Sequence, residues 1–299
     1  MSQASVLFDA PGRRGRLRNH LLTGVSTLAL LAIAGWVLLK LQEKGQLNPD
    51  LWAPFFAADT WNDFIIPGLI GTLTAAVLGA VFALLFGAVF GIARLSDHRW
   101  IRIPAGVIVE LFRAIPLLLL IFFIWFLAPT VLQPGDYALF AIVLGLTLYN
   151  GSVLAEVFRA GIQAVPRGQS EAAYAIGLRK GGVMRLILLP QALTAMMPAV
   201  VSQLVVLLKD TALGYFIVYV DLLNMGFKTL PSSLPGTKLI SAVVIGVIYI
   251  LLAMALSWVA HWLEKRSRRS RKTAAGPIEP PGGAPGLTAQ PGAGMPAVD

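Results

Sequence analysis

The chain has 299 residues, of which 57% are hydrophobic and only 13% are charged. This charged fraction is about half that of an ordinary soluble domain, and it excludes most soluble classes. The net charge of +9 does not indicate nucleic-acid binding, because the basic residues cluster at the ends of apolar runs, as membrane orientation requires. The sequence contains no cysteine, and its three histidines stand at the polar ends of apolar runs, so neither thiolate chemistry nor a histidine metal site is expected.

The first half of the chain predicts an integral membrane protein. A basic segment at residues 1–20 is expected inside, followed by a retained first transmembrane helix at 21–39 that lacks a signal-peptide cleavage site. The acidic, tryptophan-containing loop at 40–63 is expected outside. A second helix is predicted at 65–93, and its Gly87/Gly91 pair indicates close contact with another helix.

A third helix is predicted over residues 103–127. Pro104 is expected in its first turn, and Pro116 is expected to kink or break it, since proline cannot donate a backbone hydrogen bond. The loop at 128–137 has no Lys or Arg and is expected outside. A fourth helix is predicted over residues 138–158.

The segment at 161–190 is basic and is therefore expected inside. Pro166 and Gly168 are expected to end the extension of the fourth helix. A short helix is expected at 171–176, and Gly177 is the residue that would stop it in a left-handed conformation. A further break is expected at the two adjacent glycines 181 and 182.

The remaining chain predicts two more membrane helices. A fifth helix at 191–208 is expected to end at a polar break at 209–211, followed by a short apolar piece. Residues 221–238 are expected outside, and the last helix at 239–263 ends in a basic stop. The segment at 265–299 is basic and then Pro/Gly-rich, and its last 27 residues are expected to be a disordered tail inside.

Ionisable residues inside apolar runs are the candidates for a polar path, because each costs about 2.5–3.5 kcal/mol at the centre of a membrane helix. The candidates, together with the threonine of the predicted break, are Glu110, Arg113, Glu156, Lys209, Asp210 and Thr211. They can form structural ion pairs inside the bundle. Alternatively, Arg113 or Lys209 lines a substrate path and meets a substrate carboxylate. The sequence leaves both interpretations open.

The segment 161–190 also has the character of a docking surface. Its alanines leave the backbone nearly bare, and its basic rim favours an acidic partner, although an ordinary positive loop would look similar. Gly168-Gln-Ser-Glu-Ala-Ala-Tyr-Ala-Ile-Gly177, followed by Ile187-Leu-Leu-Pro190, resembles the EAA loop of bacterial ABC importer permeases. The polar amino-acid branch of that family is matched more fully, across residues 65–264.

The motifs that carry this resemblance are Gly71-Thr72, Phe112-Arg-Ala-Ile-Pro116, Glu156 to Gly161, the EAA loop and Lys209-Asp-Thr-Ala-Leu213. Two departures, at Ala114-Ile115 and at Ala212, lie outside the EAA core. The resemblance implies an all-α integral membrane protein with six transmembrane helices. It would have the type I permease fold, one extra N-terminal helix, both termini in the cytoplasm, and a place in the cell membrane of a bacterium.

The resemblance also implies how the protein works. The residues that would couple transport to a partner ATPase are Gly168, Glu171, Ala172, Ala173, Gly177 and Pro190. The chain has no P-loop motif, so no cofactor is expected on it, and ATP and Mg²⁺ would be held by two separate ATP-binding subunits. A second homologous permease, an extracytoplasmic substrate-binding protein and membrane lipid are the other expected partners.

Glutamate is the favoured substrate, because the chain most resembles the glutamate-uptake permeases of actinobacteria, including residues 5–12. Aspartate, glutamine or a cationic amino acid are alternatives. From other classes, a secondary amino-acid carrier would show an inverted repeat, and no second copy of 161–190 is found. An intramembrane enzyme would want a nucleophile with a base, or paired acids and histidine, in the core, and this class is disfavoured because the histidines lie at the edges and cysteine is absent.

Overall fold

The computed structural model describes residues 12–132 and 135–272, and this part of the chain contains helices and turns but no β-strand. Its main helices are α1 (Arg13–Glu43), α2 (Ile66–Ala93), α3 (Arg99–Ala114), α4 (Leu117–Val131), α5 (Tyr137–Gln163), α6 (Arg167–Ala175), α7 (Leu189–Asp210) and α8 (Lys238–Lys272). Short α-helical turns lie at Pro49–Trp52, Ala58–Thr60, Lys180–Gly182, Leu222–Asn224 and Leu230–Ser233. The 3₁₀ turns are Ala53–Phe56 and Thr211–Ile217, and the π-helical turns are Trp61–Ile65, Val183–Leu188 and Met225–Thr229.

Five stretches of the described chain are long and apolar enough to cross a membrane. They are Arg13–Glu43, Ala58–Ala93, Tyr137–Gln163, Lys180–Ile217 and Lys238–Val259. The pair α3–α4 is a sixth candidate, bent by 100° at its break. The prediction of an all-α, multi-pass membrane protein is therefore confirmed, with five candidate spans in the described chain, or six if the bent pair is counted as one.

The core forms where small residues let α2 and α5 approach closely. Gly79, Ala83, Gly87 and Gly91 are all buried on one face of α2. A Cβ added at Gly87 would lie only 2.7 Å from the Leu154 Cβ on α5. The close contact predicted from the glycine pair is therefore present, and it fixes the spacing of the two helices around which α4 and α7 pack.

The break predicted at Pro116 is present, but the predicted start of the third helix is wrong. The helix begins at Arg99, so Pro104 is its sixth residue and lies inside it instead of in the first turn. Ile115 is extended, with φ −83° and ψ 128°, because a residue that precedes proline disfavours the α conformation. The chain then turns through 100° into α4, which is much more than a kink.

Two predicted interruptions of the fifth helix are absent. Helical turns run from Lys180 into α7 without a stop at the two glycines, since Gly182 has an ordinary helical φ of −67° and glycine permits a break without forcing one. At the other end, α7 includes Asp210 and continues into the 3₁₀ turn. The chain changes direction only at Val218, which is left-handed with φ 59°.

The connection after Val218 is held against α2. The Tyr219 hydroxyl donates to the Gly71 carbonyl oxygen over 2.9 Å, and the Leu222 amide donates to the Thr72 hydroxyl over 3.0 Å. At Gly71 the backbones nearly touch, because an added Cβ would lie 1.9 Å from the Val220 carbonyl oxygen. The predicted loop at 221–238 is thus a packed series of short helical turns.

Both ends of the chain differ from this packed core. None of the residues of α1 is buried. At the other end, α8 extends to Lys272 and includes the basic stop. The predicted disordered tail at 273–299 and most of the segment 5–12 lie outside the described residues.

Candidate functional site

The segment 161–190 folds as a short exposed helix between two membrane helices. Helix α6 begins four residues earlier than predicted, after Pro166, so Gly168 is a helical residue and does not break the chain. Ala173 is its one buried residue, and the two preceding residues, Glu171 and Ala172, are exposed. Because a single small side chain anchors α6, most of its surface is free to meet another protein.

Gly177 ends α6 as predicted. Its φ is +84°, in the left-handed region that glycine adopts without a steric penalty. The Leu178 amide donates to the Ala173 carbonyl oxygen over 3.1 Å, and the Gly177 amide donates to the Tyr174 carbonyl oxygen over 2.9 Å. This pair of bonds is a Schellman cap, which stops the helix at a defined residue and turns the chain back towards α7.

The surface of α6 is more apolar than the sequence around it suggests. Ile176 is 79% exposed and Tyr174 is 49% exposed, at the end of the helix that the cap defines. Exposed large apolar side chains on a basic, water-accessible segment are typical of a protein contact. The arrangement offers an apolar tip within a positively charged rim.

Three polar contacts tie this segment to the rest of the bundle. The Lys180 ammonium lies 2.5 Å from the Asp97 Oδ1 and donates to the Leu95 carbonyl oxygen over 3.3 Å, so it joins the segment to the α2–α3 connection. The hydrogen bond from Lys180 lowers the pKa of the Asp97 carboxyl. The Gln191 amide also donates to the Gln169 side chain over 3.4 Å, which links α6 to α7.

Three of the predicted polar-path residues lie together in an ion-pair cluster, which consists of Arg94, Glu110, Arg113, Glu156 and Arg159. Arg94, the residue that ends α2, lies 3.1 Å from Glu110 on α3 and 3.0 Å from Glu156 on α5. Glu156 also pairs with Arg159 on its own helix. The cluster joins three helices at the end of the bundle that carries 161–190, which we call the basic end.

Charge in this cluster is not balanced. Three guanidinium groups face two carboxylates. Arg113 has the loosest contact, 3.6 Å from Glu110, and its side chain is 37% exposed. The structure therefore favours the ion-pairing interpretation for Glu110 and Glu156, and it leaves Arg113 as the member most accessible to another anion.

The other three predicted residues lie near the far end of α7. Lys209 lines a cavity of about 650 Å³ between α7 and α8, whose other lining residues include Val205, Ala212, Tyr249 and Met254. Lys209 makes no ion pair with any residue of the described chain. A lysine at the edge of a mainly apolar cavity is a suitable contact for a carboxylate.

Asp210 and Thr211 make hydrogen bonds within the protein, which disfavours a role in binding substrate. The Asp210 carboxylate accepts a hydrogen bond from the Asn150 amide over 3.3 Å, and the Asn150 side-chain oxygen accepts one from Gln203 over 2.6 Å. The Thr211 hydroxyl is fully buried and donates to the Leu208 carbonyl oxygen over 2.7 Å. Asp210 therefore serves the contact between α5 and α7, whereas Thr211 makes a hydrogen bond within its own helical turn.

Several residues at these sites were not predicted. Arg94 and Asp97 looked like ordinary loop charges, and Lys180 looked like part of a basic rim. The polarity of Asn150 and Gln203 inside apolar runs could have indicated an interhelical hydrogen bond. Their partners are distant in sequence, however, so no local pattern identifies them.

The membrane spans, one of them bent, and the exposed capped helix are typical of a multi-pass membrane subunit that binds a partner protein. The chain belongs to the family of binding-protein-dependent transport system inner membrane components, whose model matches residues 83–269. This confirms the family that the EAA-loop resemblance indicated.

Among curated proteins, the glutamate transport system permease protein GluD of Corynebacterium glutamicum is 41% identical over 233 residues, covering 77% of this chain and 85% of GluD. The glutamate/aspartate import permease protein GltK of Escherichia coli is 30% identical over 213 residues, covering 68% of this chain and 93% of GltK. The crystal structure of an amino acid ABC transporter with histidines matches with a TM-score of 0.63 and 28% identity, over 69% of this chain and 95% of that one.

Proposed function

We propose that this chain is the permease subunit of an ATP-driven importer for polar amino acids, with glutamate as its first substrate. The 41% identity to GluD supports glutamate, and the lower identity to GltK extends the same acidic class to aspartate. The basic end of the bundle would face the cytoplasm, because arginine and lysine are enriched in loops on that side. Glutamine or a cationic amino acid remains the alternative within the family.

The exposed, capped helix α6 is the observation that carries the mechanism. It presents Glu171, Ala172 and the tip at Ile176 to an outside partner, while Lys180 and Gln169 tie it to the bundle. We infer that α6 seats on an ATP-binding subunit, with Pro190 and Gly168 at the two ends of the moving segment. Movement of that subunit would then reach the membrane helices through α6.

ATP and Mg²⁺ would be bound by two partner ATPases, because this sequence lacks the phosphate-binding loop that the chemistry needs. A second, homologous permease would complete the path, since one set of these helices surrounds only part of a pore. An extracytoplasmic binding protein would deliver the amino acid to the outer face. Transport would proceed by alternating access, opening first to the binding protein and then to the cytoplasm.

The cavity beside Lys209 is the place where we propose that substrate meets this subunit. Lys209 would bind a substrate carboxylate, and Arg113 at the basic end would meet the same anion as it leaves. The absence of an ion pair at Lys209 in the described chain and the loose pair of Arg113 support these roles. The ion pairs of Glu110 and Glu156 would keep the helices in place at the basic end, where the substrate would leave.

The coupling role is tested by Glu171→Lys, with the chain coexpressed with its partner subunits. We expect membrane insertion to be intact and glutamate uptake to be abolished, since a positive charge enters the docking face of α6. Glu43→Lys on α1 is the matched control, because it makes the same change of charge at an exposed position away from α6. Normal uptake by Glu171→Lys would remove the coupling role.

The substrate is tested by uptake of labelled glutamate into vesicles that hold the purified complex and ATP. Unlabelled aspartate, glutamine and arginine compete in separate arms. Lys209→Met should lower uptake of acidic substrates, and Lys209→Arg should restore most of it because the charge returns. Uptake that runs on an ion gradient without ATP would instead indicate a secondary carrier.

A further inference from the structure

Helix α3 carries three distinct faces along its length. Ala105 and Val109 are buried against the bundle. A second face is apolar but exposed: Trp100 is 91% exposed, Ile103 57%, Val107 61% and Leu111 53%. These four positions recur every three or four residues, so they form one continuous stripe.

The third face of α3 is basic. Arg99 and Arg102 are both exposed, and neither makes an ion pair with a residue of the described chain. They lie beside the apolar stripe and on the same half of the helix as Trp100. A helix with an apolar stripe, a basic edge and an exposed tryptophan has the composition of one that lies in the membrane interface.

The start of α3 and its last third both lie close to Arg94, the residue that follows α2. Helix α3 begins at Arg99, five residues after Arg94. Glu110, in the last third of α3, forms an ion pair with the same Arg94. Glu156 of α5 meets Arg94 there too, so all three side chains share one level of the bundle. A helix that crossed the membrane would carry Glu110 about 16 Å away from Arg99 along the membrane normal.

The sharp bend between α3 and α4 also indicates that α3 runs along the membrane plane. If α4 runs roughly along the membrane normal, the 100° angle sets α3 close to the membrane plane. Helix α4 has 15 residues and covers about 22 Å, which is less than the apolar thickness of about 30 Å. If the other end of α4 reaches the opposite boundary of that layer, the elbow at Pro116 lies several Å inside it, which is the depth of an interfacial helix.

We propose that α3 is an in-plane membrane-interface helix whose Arg99 and Arg102 bind the headgroups of anionic phospholipids. The apolar stripe would lie against the acyl chains and the arginines against phosphate. A soluble ATPase cannot cover the stripe at this depth, whereas lipid satisfies both faces at once. Each arginine near an anionic surface favours binding on the order of fivefold.

The chain has no cysteine, so an introduced cysteine is the only labelling site on it, and the cysteine-free parent chain in the same complex gives the background from the other subunits. Ile103→Cys, Val107→Cys and Leu111→Cys are spin-labelled in the full chain, purified with its associated subunits and placed in vesicles of equal parts phosphatidylglycerol and phosphatidylcholine. Accessibility to oxygen and to a water-soluble nickel chelate gives the depth of each label. We expect the three depths to agree within about 5 Å, where a crossing helix would spread them by about 12 Å.

The lipid arm uses a fluorophore at Ile103→Cys and quenchers on the headgroup of either lipid. We expect phosphatidylglycerol to quench more strongly, and Arg99→Gln with Arg102→Gln to reduce that preference at least fivefold. Arg16→Gln with Arg18→Gln on α1 removes equal charge and should leave it unchanged.

A depth spread near 12 Å would overturn the proposal, and so would labels shielded from both reagents, because a protein partner would then cover the stripe. Equal quenching by the two lipids would overturn the headgroup assignment. Glutamate uptake is measured in the same vesicles. A failure of this proposal is therefore distinguished from a failure of the transport function.

Discussion

Gly177→Ala is expected to uncouple the transporter without any steric clash. Gly177 has φ +84°, and a Cβ built on it has no atom within 4 Å. The substitution therefore changes only the cost of the left-handed conformation, which is about 1–2 kcal/mol for a residue with a side chain. This cost corresponds to roughly a 5- to 30-fold loss in the population of the capped form.

Gly177→Asn distinguishes an effect of the left-handed backbone conformation from an effect of side-chain size against the partner's surface. Asparagine tolerates the left-handed conformation better than alanine, yet its side chain is larger. If the cap matters, uptake and ATPase coupling in proteoliposomes should fall in the order glycine, asparagine, alanine. If the partner merely needs space at this point, asparagine should be worse than alanine.

Hydrogen exchange at the amides of Gly177 and Leu178 measures the same effect directly. These amides are bonded only by the cap, so Gly177→Ala should speed their exchange by the same 5- to 30-fold factor. Wild-type exchange together with wild-type uptake in Gly177→Ala would refute the claim that the cap positions α6.

Three further substitutions test the bundle itself. Gly71→Ala should destabilise the purified chain by about 3 kcal/mol or more in thermal unfolding, since its Cβ would meet a backbone oxygen at 1.9 Å, whereas Gly106→Ala has open space and should cost nothing. Glu156→Gln should cost about 1–3 kcal/mol because Arg94 loses a half-buried partner; no change would mean that the cluster is only a surface feature. Burial raises the pKa of Asp221 from 3.8 to about 7, so stability should fall as the pH rises between these values and then level off, and Asp221→Asn should abolish that slope.

Local signals predicted the parts of this protein that depend on local chemistry. Gly177 was predictable because a left-handed residue after a short helix has few alternatives to glycine. The contact of α2 with α5 was predictable because Gly87 and Gly91 share a face and leave room for a neighbour. The position of the break at Pro116 followed from the missing amide hydrogen.

The angle at that break was not predictable, because two residues set it and tertiary packing selects their dihedral angles. The ion pairs of Arg94 were missed for a similar reason, since its partners lie 16 and 62 residues away along the chain. The partner of Asp210 was missed for the same reason, since Asn150 lies 60 residues earlier in the chain. The predicted path residues therefore divide into an ion-pair cluster, a cavity lysine, one interhelical contact at Asp210 and one local hydrogen bond at Thr211.

The ties of Lys180 have a mechanical consequence. Lys180 contacts Asp97 and Leu95 in the short connection between α2 and α3. The neighbouring Arg94 forms ion pairs with α3 and α5. A movement of α6 can therefore reach the bundle through these contacts as well as through its covalent link to α7. Strain entering at one exposed helix is divided among four helices, so the bundle can rotate as a block where a single helix would bend alone.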